Sequence, residues 1–399
     1  MLPSLAGLAA AATRDQEELA APFRMLYEHA SRHDLYWTHT FVQPFNQHDK
    51  PGGANPAALR IVRETADGIA VSGARGVATA AAFADRNFNF DRIRPPSPAE
   101  AEKSGHLFAL YFRVSIDAPG LRWICRDFEP AERGRFDSPL ASVADEVDSI
   151  ALFDEVWIPR EDITFLARDY ETLWKLIQLL APWKEQLTKH QTLIRNIAKT
   201  RFILGLAHLI AESSRSNKFI NVQQRLGDIV LCLDVLESLA VAAVEEATRE
   251  PNSGWFYPNS RYVSAGCRLF GEYYPRILDH LVTLGASRFV STPQERTLEV
   301  LGAAVEDYFR AASPSAKQNV ALHRMAWDLA GTAFGARQDL YERFFAGDYE
   351  MQKVTAYLGM DKKEVVATVE RMLRISNTHE HPFPLPEKFG RWPTANGSE

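Results

Sequence analysis

The spacing of apolar residues changes twice along the chain. Between residues 14 and 33, Leu19, Phe23, Leu26 and Tyr27 recur at helical spacing, which predicts an amphipathic helix. From Tyr36 onward the pattern alternates with a period of two, as in a half-buried strand. Further short runs typical of strands lie between turn signals, at residues 59–64, 69–72, 107–116, 121–126 and 150–158. Strands without intervening helices predict a small antiparallel barrel or sandwich, and we take the barrel as our prediction.

After Asp169 the pattern becomes helical again, over segments long enough for a helical bundle. The predicted helices cover residues 186–213, 221–249, 260–285, 297–311 and 316–329. We therefore predict an α+β chain with a residual N-terminal helix (1–34), a middle antiparallel β-barrel (35–168), a C-terminal helical bundle (169–377) and a proline-rich extended tail (378–399). This order of helix, barrel and bundle resembles the acyl-CoA dehydrogenase fold, a flavin fold.

Charge and cysteine usage exclude several classes of function. The 399-residue chain has a formal net charge of −6, so it has no overall basic field to attract nucleic acid or an anionic membrane. Its three cysteines are far apart and form no CxxC motif, which is typical of buried thiols in a reducing cytoplasm. The apolar start at residues 2–12 contains Pro3 and Ser4 and lacks a basic flank, so it is neither a signal peptide nor a membrane span.

Three stretches resemble the 4-hydroxyphenylacetate 3-hydroxylase family. The first contains residues 34–44 (DLYWTHTFVQP), 62–69 (VRETADGI) and 73–79 (GARGVAT). The second runs from SPL at 138–140 through DEVD at 145–148 to LFDEVWIP at 152–159. The third is WDLAGTAFGARQ at 327–338, continuing to ER at 342–343 and GD at 347–348. Together these stretches span nearly the whole chain in the family's order.

The resemblance implies an aromatic monooxygenase that uses FAD in its reduced form, FADH2. In this family a separate NAD(P)H:flavin reductase supplies the reduced FAD, which reacts with O2, and a phenol is hydroxylated ortho to its hydroxyl group. The sequence agrees with this division of labour, because no GxGxxG motif follows a strand to hold a nicotinamide dinucleotide.

The resemblance also assigns site residues on the strands. The histidine of the Thr-His-Thr segment, His39, is expected beside both substrate and flavin, with Thr40 and Phe41 as neighbouring flavin contacts. An imidazole with a pKa near neutrality accepts or shares the phenol proton. Thr79 resembles the residue that hydrogen-bonds the isoalloxazine edge. Without the resemblance, His39 and Thr79 read as ordinary strand residues.

Further site residues are expected on the bundle. The glycine-containing break at Thr332, Ala333, Phe334 and Gly335 allows close approach to a flat ring, although a plain helix-to-helix turn is the simpler alternative. His190 is a candidate second acid or base. Alternatively it is a core-facing histidine on one face with Ile194 and Ile197.

Two departures from the family pattern bear on function. The family's N-terminal helical region ends in an Arg-Ser-Pro-Asp-Tyr-like motif that contacts substrate, and residues 1–8 resemble the segment immediately after it. We therefore expect either an upstream start or a shortened paralogue. Residues 45–48 (FNQH) also differ from the family, so flavin phosphate or ribose contacts there transfer only weakly.

Other functions compete with this prediction. An iron-sulfur dehydratase of the same fold needs a cysteine seven residues after its histidine, where this chain has Ile197 after His190. A true acyl-CoA dehydrogenase needs a catalytic base that we do not identify. A non-catalytic or degenerate paralogue stays the main alternative, and the phenol itself stays open: chlorophenols, 4-hydroxyphenylacetate, tyrosine-derived intermediates and carrier-bound tyrosines.

The apolar pattern of the second long bundle helix predicts oligomerisation. Its apolar residues crowd more than one face, which indicates cover on several sides. From this pattern and the family resemblance we expect a homotetramer. The residues concerned are Val230, Leu231, Leu233, Val235, Leu236, Leu239, Val241 and Val244.

Overall fold

The computed structural model describes residues 2–13, 16–42, 57–90, 109–127, 134–347 and 349–373. The helices are α1 Leu2–Ala11, α2 Glu17–His33, α3 Gly134–Asp137, α4 Ala141–Ala144, α5 Tyr170–Ser213, α6 Ile220–Glu245, α7 Ser260–Gly285, α8 Arg288–Ser291, α9 Glu295–Leu301, α10 Glu306–Phe309, α11 Ala316–Ala330, α12 Ala333–Phe344, α13 Tyr349–Gly359 and α14 Lys363–Leu373. The strands are β1 Trp37–Thr40, β2 Arg60–Thr65, β3 Gly68–Thr79, β4 Arg86–Asn89, β5 Ala109–Ser115, β6 Leu121–Cys125, β7 Asp148–Pro159, β8 Ile163–Ala167, β9 Thr248–Arg249 and β10 Phe256–Tyr257.

Helix α2 confirms the first periodic segment and covers the strands. Its apolar face buries Phe23 and Leu26. Both side chains belong to one cluster with Tyr111 of β5 and Phe165 of β8. Full burial of a side chain such as Phe23 contributes roughly 1.5–3 kcal/mol, so α2 is an integral part of this core.

The strands of the middle region form two four-stranded sheets. One has the order β1-β4-β5-β8 and the other β2-β3-β7-β6. Leu110 and Phe112 of β5 pack against Ile69 of β3 and Phe153 of β7, so the sheets enclose a shared apolar layer. Among the described residues the strands do not close into the predicted barrel. The prediction of purely antiparallel strands is also wrong for one pair, because β1 and β4 run parallel.

The bundle begins where predicted, but its first helix starts earlier than residue 186. Helix α5 has 44 residues and starts at Tyr170, where the Asp169 carboxylate accepts the backbone N–H of Thr172 at 2.7 Å and caps the first turn. Helices α5, α6 and α7 share a core around Leu193, Ile210, Leu236, Phe270 and Tyr274.

Of two further helix predictions, one is confirmed and the other is wrong. The segment at 260–285 is confirmed as α7. The predicted helix at 297–311 is instead divided into α9, a 3-10 turn and α10. The break falls at Gly302, whose φ of +50° lies in the left-handed region that glycine tolerates best.

The structure also bears on the expectations about cysteines and membrane spans. Cys232 and Cys267 are buried as expected, whereas Cys125 is exposed. No helix in the described part of the chain has the length and apolar character needed to cross a membrane. The predicted tail at 378–399 lies outside the described residues. The relation to the acyl-CoA dehydrogenase fold stays a prediction.

Candidate active site

Strand β1 separates the residues of the Thr-His-Thr segment onto two faces. Thr40 is 0% exposed and its hydroxyl donates to Asn89 at 3.2 Å and accepts from Asn87 at 3.1 Å. His39 points to the opposite face by the alternation of a strand. Its side chain is only partly buried. The hydroxyl of Thr40 is therefore engaged between β1 and β4, away from the face of His39.

His39 lies in a small aromatic cluster. Its ring stacks on Phe41 at a centroid distance of 5.7 Å and lies 5.7 Å from Phe90, and the two phenyl rings stack at 5.2 Å. Burial in these surroundings lowers the pKa of His39 to about 4. The expectation of a pKa near neutrality is therefore wrong, and the imidazole is neutral at pH 7.

Thr79 is joined to the bundle through one carboxylate. Its hydroxyl donates to Asp148 at 2.9 Å, and Asp148 accepts two hydrogen bonds from Arg337 of α12, at 2.7 and 2.9 Å. On the other side, the hydroxyl of Thr38 donates to the backbone carbonyl of Thr79 at 2.8 Å. This chain of contacts brings β1, β3, β7 and α12 together at one place.

The predicted break before α12 is built as a helix cap. Thr332 donates its hydroxyl to the backbone carbonyl of Asp328 at 2.7 Å and accepts the backbone N–H of Gly335 at 3.3 Å. A Cβ on Gly335 would lie 2.4 Å from the carbonyl oxygen of Leu329, so only glycine fits here. Phe334 is buried beside it, whereas Ala333 is exposed.

A buried carboxylate attaches this break to the middle region. Asp328 is 1% exposed, and its Oδ2 accepts the backbone N–H groups of Leu140 and Ala141, both at 2.7 Å. These N–H groups begin the short helix α4. The second and third stretches of the family resemblance therefore meet at Asp328.

His190 lies on the long bundle helix α5. Its Nε2 is buried without a hydrogen-bond partner among the described residues, and burial lowers its pKa. Ile197 is buried, but Ile194 is 48% exposed, so the reading of all three as one core face is wrong. Among the described residues, His190 Nε2 therefore makes no hydrogen bond to His39.

The sequence reasoning missed three residues that organise the site, namely Asp148, Asp328 and Arg337. All three lie inside the stretches that carry the resemblance, at 145–148 and 327–338. Charged residues within such a stretch, next to glycine or strand positions already singled out, were the available signal. Their pairing was not visible because it joins positions up to 189 residues apart.

The described residues include groups of two kinds that suit a flat polar ligand such as a flavin. Trp37 Nε1, on the same side of β1 as His39, and Arg337 Nη1 are buried and have no hydrogen-bond partner among the described residues. Buried donors are nearly always satisfied in folded proteins, so both suit a ligand that offers acceptor atoms. An isoalloxazine ring offers such atoms, and the cluster of His39, Phe41 and Phe90 offers flat apolar faces.

Comparison with known proteins gives a consistent set of relatives. The family model described as 4-hydroxyphenylacetate 3-hydroxylase N terminal matches residues 3–165, and the corresponding C-terminal model matches residues 184–374. The chain is 31% identical over 363 residues to the 4-hydroxyphenylacetate 3-monooxygenase oxygenase component of Thermus thermophilus, covering 90% of this chain and 73% of that protein. It is 30% identical to the oxygenase component of a 4-nitrophenol 2-monooxygenase from a Rhodococcus species, covering 81% of this chain and 62% of that protein.

The fold has a similar solved counterpart. The crystal structure of the oxygenase component of 4-hydroxyphenylacetate 3-monooxygenase complexed with FAD and 4-hydroxyphenylacetate matches with a TM-score of 0.81 and 29% identity. The match covers 93% of this chain and 76% of that chain.

Proposed function

Because the chain belongs to the 4-hydroxyphenylacetate 3-hydroxylase family, we propose that it is the oxygenase component of a two-component flavin monooxygenase. A separate NAD(P)H:flavin reductase supplies FADH2. The reaction converts a phenol, O2 and FADH2 into the ortho-dihydroxylated product, water and FAD. The observation that carries the proposal is the meeting of β1, β3, β7 and α12 through Thr79, Asp148 and Arg337.

The residues that hold the flavin come from both regions of the chain. Thr79 would hydrogen-bond the isoalloxazine ring, and Phe41 would pack against it. The first turn of α12, at Thr332, Ala333, Phe334 and Gly335, approaches through backbone, since the Thr332 hydroxyl is used as a cap. When bound, reduced FAD supplies the two electrons that activate O2.

His39 holds the phenol hydroxyl. A neutral imidazole has one ring nitrogen free to accept a hydrogen bond, and the low pKa keeps that nitrogen unprotonated at neutral pH. A phenol has a pKa of about 10, so full proton transfer to His39 is unfavourable before reaction. His39 therefore shares the proton in a hydrogen bond, which orients the ring and raises electron density at the ortho carbon. We keep His190 as a proposed second acid or base.

The substrate is a phenol whose other substituent is open. Relatives named for 4-hydroxyphenylacetate and 4-nitrophenol support a phenol as the common element. A cytoplasmic location accords with the need for a reductase and with Cys232 and Cys267, whose thiol pKa values burial raises to about 11.

A coupled assay tests the proposal. The protein is mixed with an NADH:FAD reductase, NADH, FAD and 4-hydroxyphenylacetate, and the dihydroxylated product and O2 uptake are measured together. We expect product from the wild type. For His39→Ala we expect product formation to fall by roughly a hundredfold or more, with O2 uptake by reduced FAD retained.

The matched control is His208→Ala, which removes an exposed histidine of α5 and leaves product unchanged. Loss of reduced-FAD binding by His39→Ala, measured in an anaerobic titration, moves His39 from substrate to flavin binding. Absence of product from the wild type with a panel of phenols favours the non-catalytic alternative.

A further inference from the structure

The Thr79 hydroxyl donates its one proton to a hydrogen bond within the protein. Thr79 and Asp148 are opposite each other in the antiparallel ladder of β3 and β7. The hydroxyl donates to Asp148 Oδ1 at 2.9 Å. A threonine hydroxyl has one proton and two acceptor lone pairs, and an ionised carboxylate is an acceptor only. Paired with an ionised Asp148, Thr79 therefore offers any further partner its lone pairs alone.

The surroundings of Asp148 keep it ionised. Arg337 donates to both carboxylate oxygens, and Arg126 lies at 3.4 Å. Burial alone raises the pKa of Asp148, but the hydrogen bonds and charge of Arg337, with contributions from Thr79 and Arg126, outweigh it and hold that pKa below its usual value. At neutral pH the direction of the hydrogen bond from Thr79 to Asp148 is fixed.

The geometry around Thr79 leaves little freedom for reorientation. The hydroxyl of Thr38 donates to the Thr79 carbonyl at 2.8 Å and fastens the end of β3. A β-branched side chain has few allowed rotamers on a strand. Thr79 is only partly buried, so a ligand can approach it.

The two redox forms of a flavin differ in the hydrogen-bond donors and acceptors at the ring edge. Reduction places N–H donors on ring nitrogens that are bare acceptors in oxidised flavin. A hydroxyl that only accepts forms a hydrogen bond with the reduced edge, whereas it faces the oxidised edge with lone pair against lone pair.

We propose that Asp148, held by Arg337, makes Thr79 an acceptor only and thereby selects reduced over oxidised FAD. Asp148 is a positioning residue in this scheme, acting through Thr79. The inference rests on the proposed function, which places Thr79 at the flavin edge.

The test measures binding of both flavin forms under anaerobic conditions. Oxidised FAD and dithionite-reduced FAD are each titrated into the full chain, and the ratio of the two dissociation constants is compared between variants. For the wild type we expect reduced FAD to bind at least about tenfold more tightly. Asp148→Asn should bring the two constants together, mainly by tighter binding of oxidised FAD, because an amide can donate to Thr79 and free its proton for the ligand.

Glu146→Gln is the matched control. Glu146 also pairs with Arg337, at 3.0 Å, and the variant also removes one negative charge, but Glu146 has no contact with Thr79. We expect it to keep the wild-type ratio. Thr79→Val should lose the preference and Thr79→Ser should keep it, so this uncharged pair decides the question even where Asp148→Asn fails to fold.

The outcomes separate the inference from the function on which it rests. A wild type that binds neither form refutes the proposed function. A wild type that prefers reduced FAD, with the same preference in Asp148→Asn or in Thr79→Val, overturns the inference alone. So does a wild type that binds both forms equally.

Discussion

Removing the Asp328 carboxylate should cost the protein a large part of its stability. The side chain satisfies the backbone N–H groups of Leu140 and Ala141 and lies 3.2 Å from the Thr332 hydroxyl. Asp328→Ala leaves the buried N–H of Ala141 and the half-buried N–H of Leu140 without this acceptor, at about 1–3 kcal/mol for each fully buried group. We expect a loss of about 3–5 kcal/mol, against a total of roughly 5–15 kcal/mol for a folded domain.

Urea denaturation at pH 7, followed by circular dichroism at 222 nm, measures this loss. Asp328→Asn keeps one acceptor oxygen, so it should lose less than Asp328→Ala and serves as the second variant. Asp307→Ala removes the same charge from a side chain that is 97% exposed and should stay within about 0.5 kcal/mol of the wild type. A free energy of unfolding for Asp328→Ala within about 1 kcal/mol of the wild type would refute the reasoning.

Three further predictions concern pH, flavin and assembly. The pKa of His39 is about 4 in the fold and 6.5 ordinarily, so the unfolded chain takes up the proton first as pH falls. The wild type should therefore lose about 2–3 kcal/mol of stability between pH 7 and 4.5, and His39→Phe should not show this loss. Equal loss of stability with falling pH in the two proteins, measured by urea denaturation, contradicts this. The purified protein should contain little oxidised FAD, and a stoichiometric bound flavin that NADH reduces directly, seen by absorbance, rules out the two-component scheme. We propose a homotetramer, because α6 exposes large apolar side chains, Leu231 at 64% and Val241 at 61%. Light scattering of the wild type and Leu231→Glu checks it, and a monomeric wild type contradicts it.

The fold was predictable where the apolar pattern has a clear period. Helix α7 shows such a pattern, and its bounds agree with the prediction. Strand β4 was missed because its sequence, Arg-Asn-Phe-Asn, buries two asparagines that hydrogen-bond Thr40 and a backbone carbonyl. A buried polar ladder has no signature in a pattern of apolar residues. Helix α1 was not predicted as a helix separate from α2, because its sequence is almost wholly apolar and so has no period to detect.

The resemblance predicted candidate site residues but not their electrostatics. It proposes His39 and Thr79, which lie on the neighbouring strands β1 and β3. The low pKa of His39 arises from burial in the folded chain, where one of its ring neighbours, Phe90, comes from far away in the sequence. The partner of Thr79 is set by the register of β3 and β7, and no local spacing determines that register.

Helix α5 couples the unfolding of the strand region to the unfolding of the helical bundle. Its first turns place Leu173 and Leu176 in the core that α2 and the strands share, and its later turns place Leu193 and Ile210 in the core of the bundle. A helix of 44 residues is about 66 Å long, and both cores depend on its backbone hydrogen bonds. Unfolding of either core therefore exposes one end of α5, and the other core is destabilised because it packs on the same helix. Amide hydrogens at the two ends of α5 should exchange with solvent in one cooperative step. A substrate bound at the strands should therefore also slow amide exchange in the bundle part of α5.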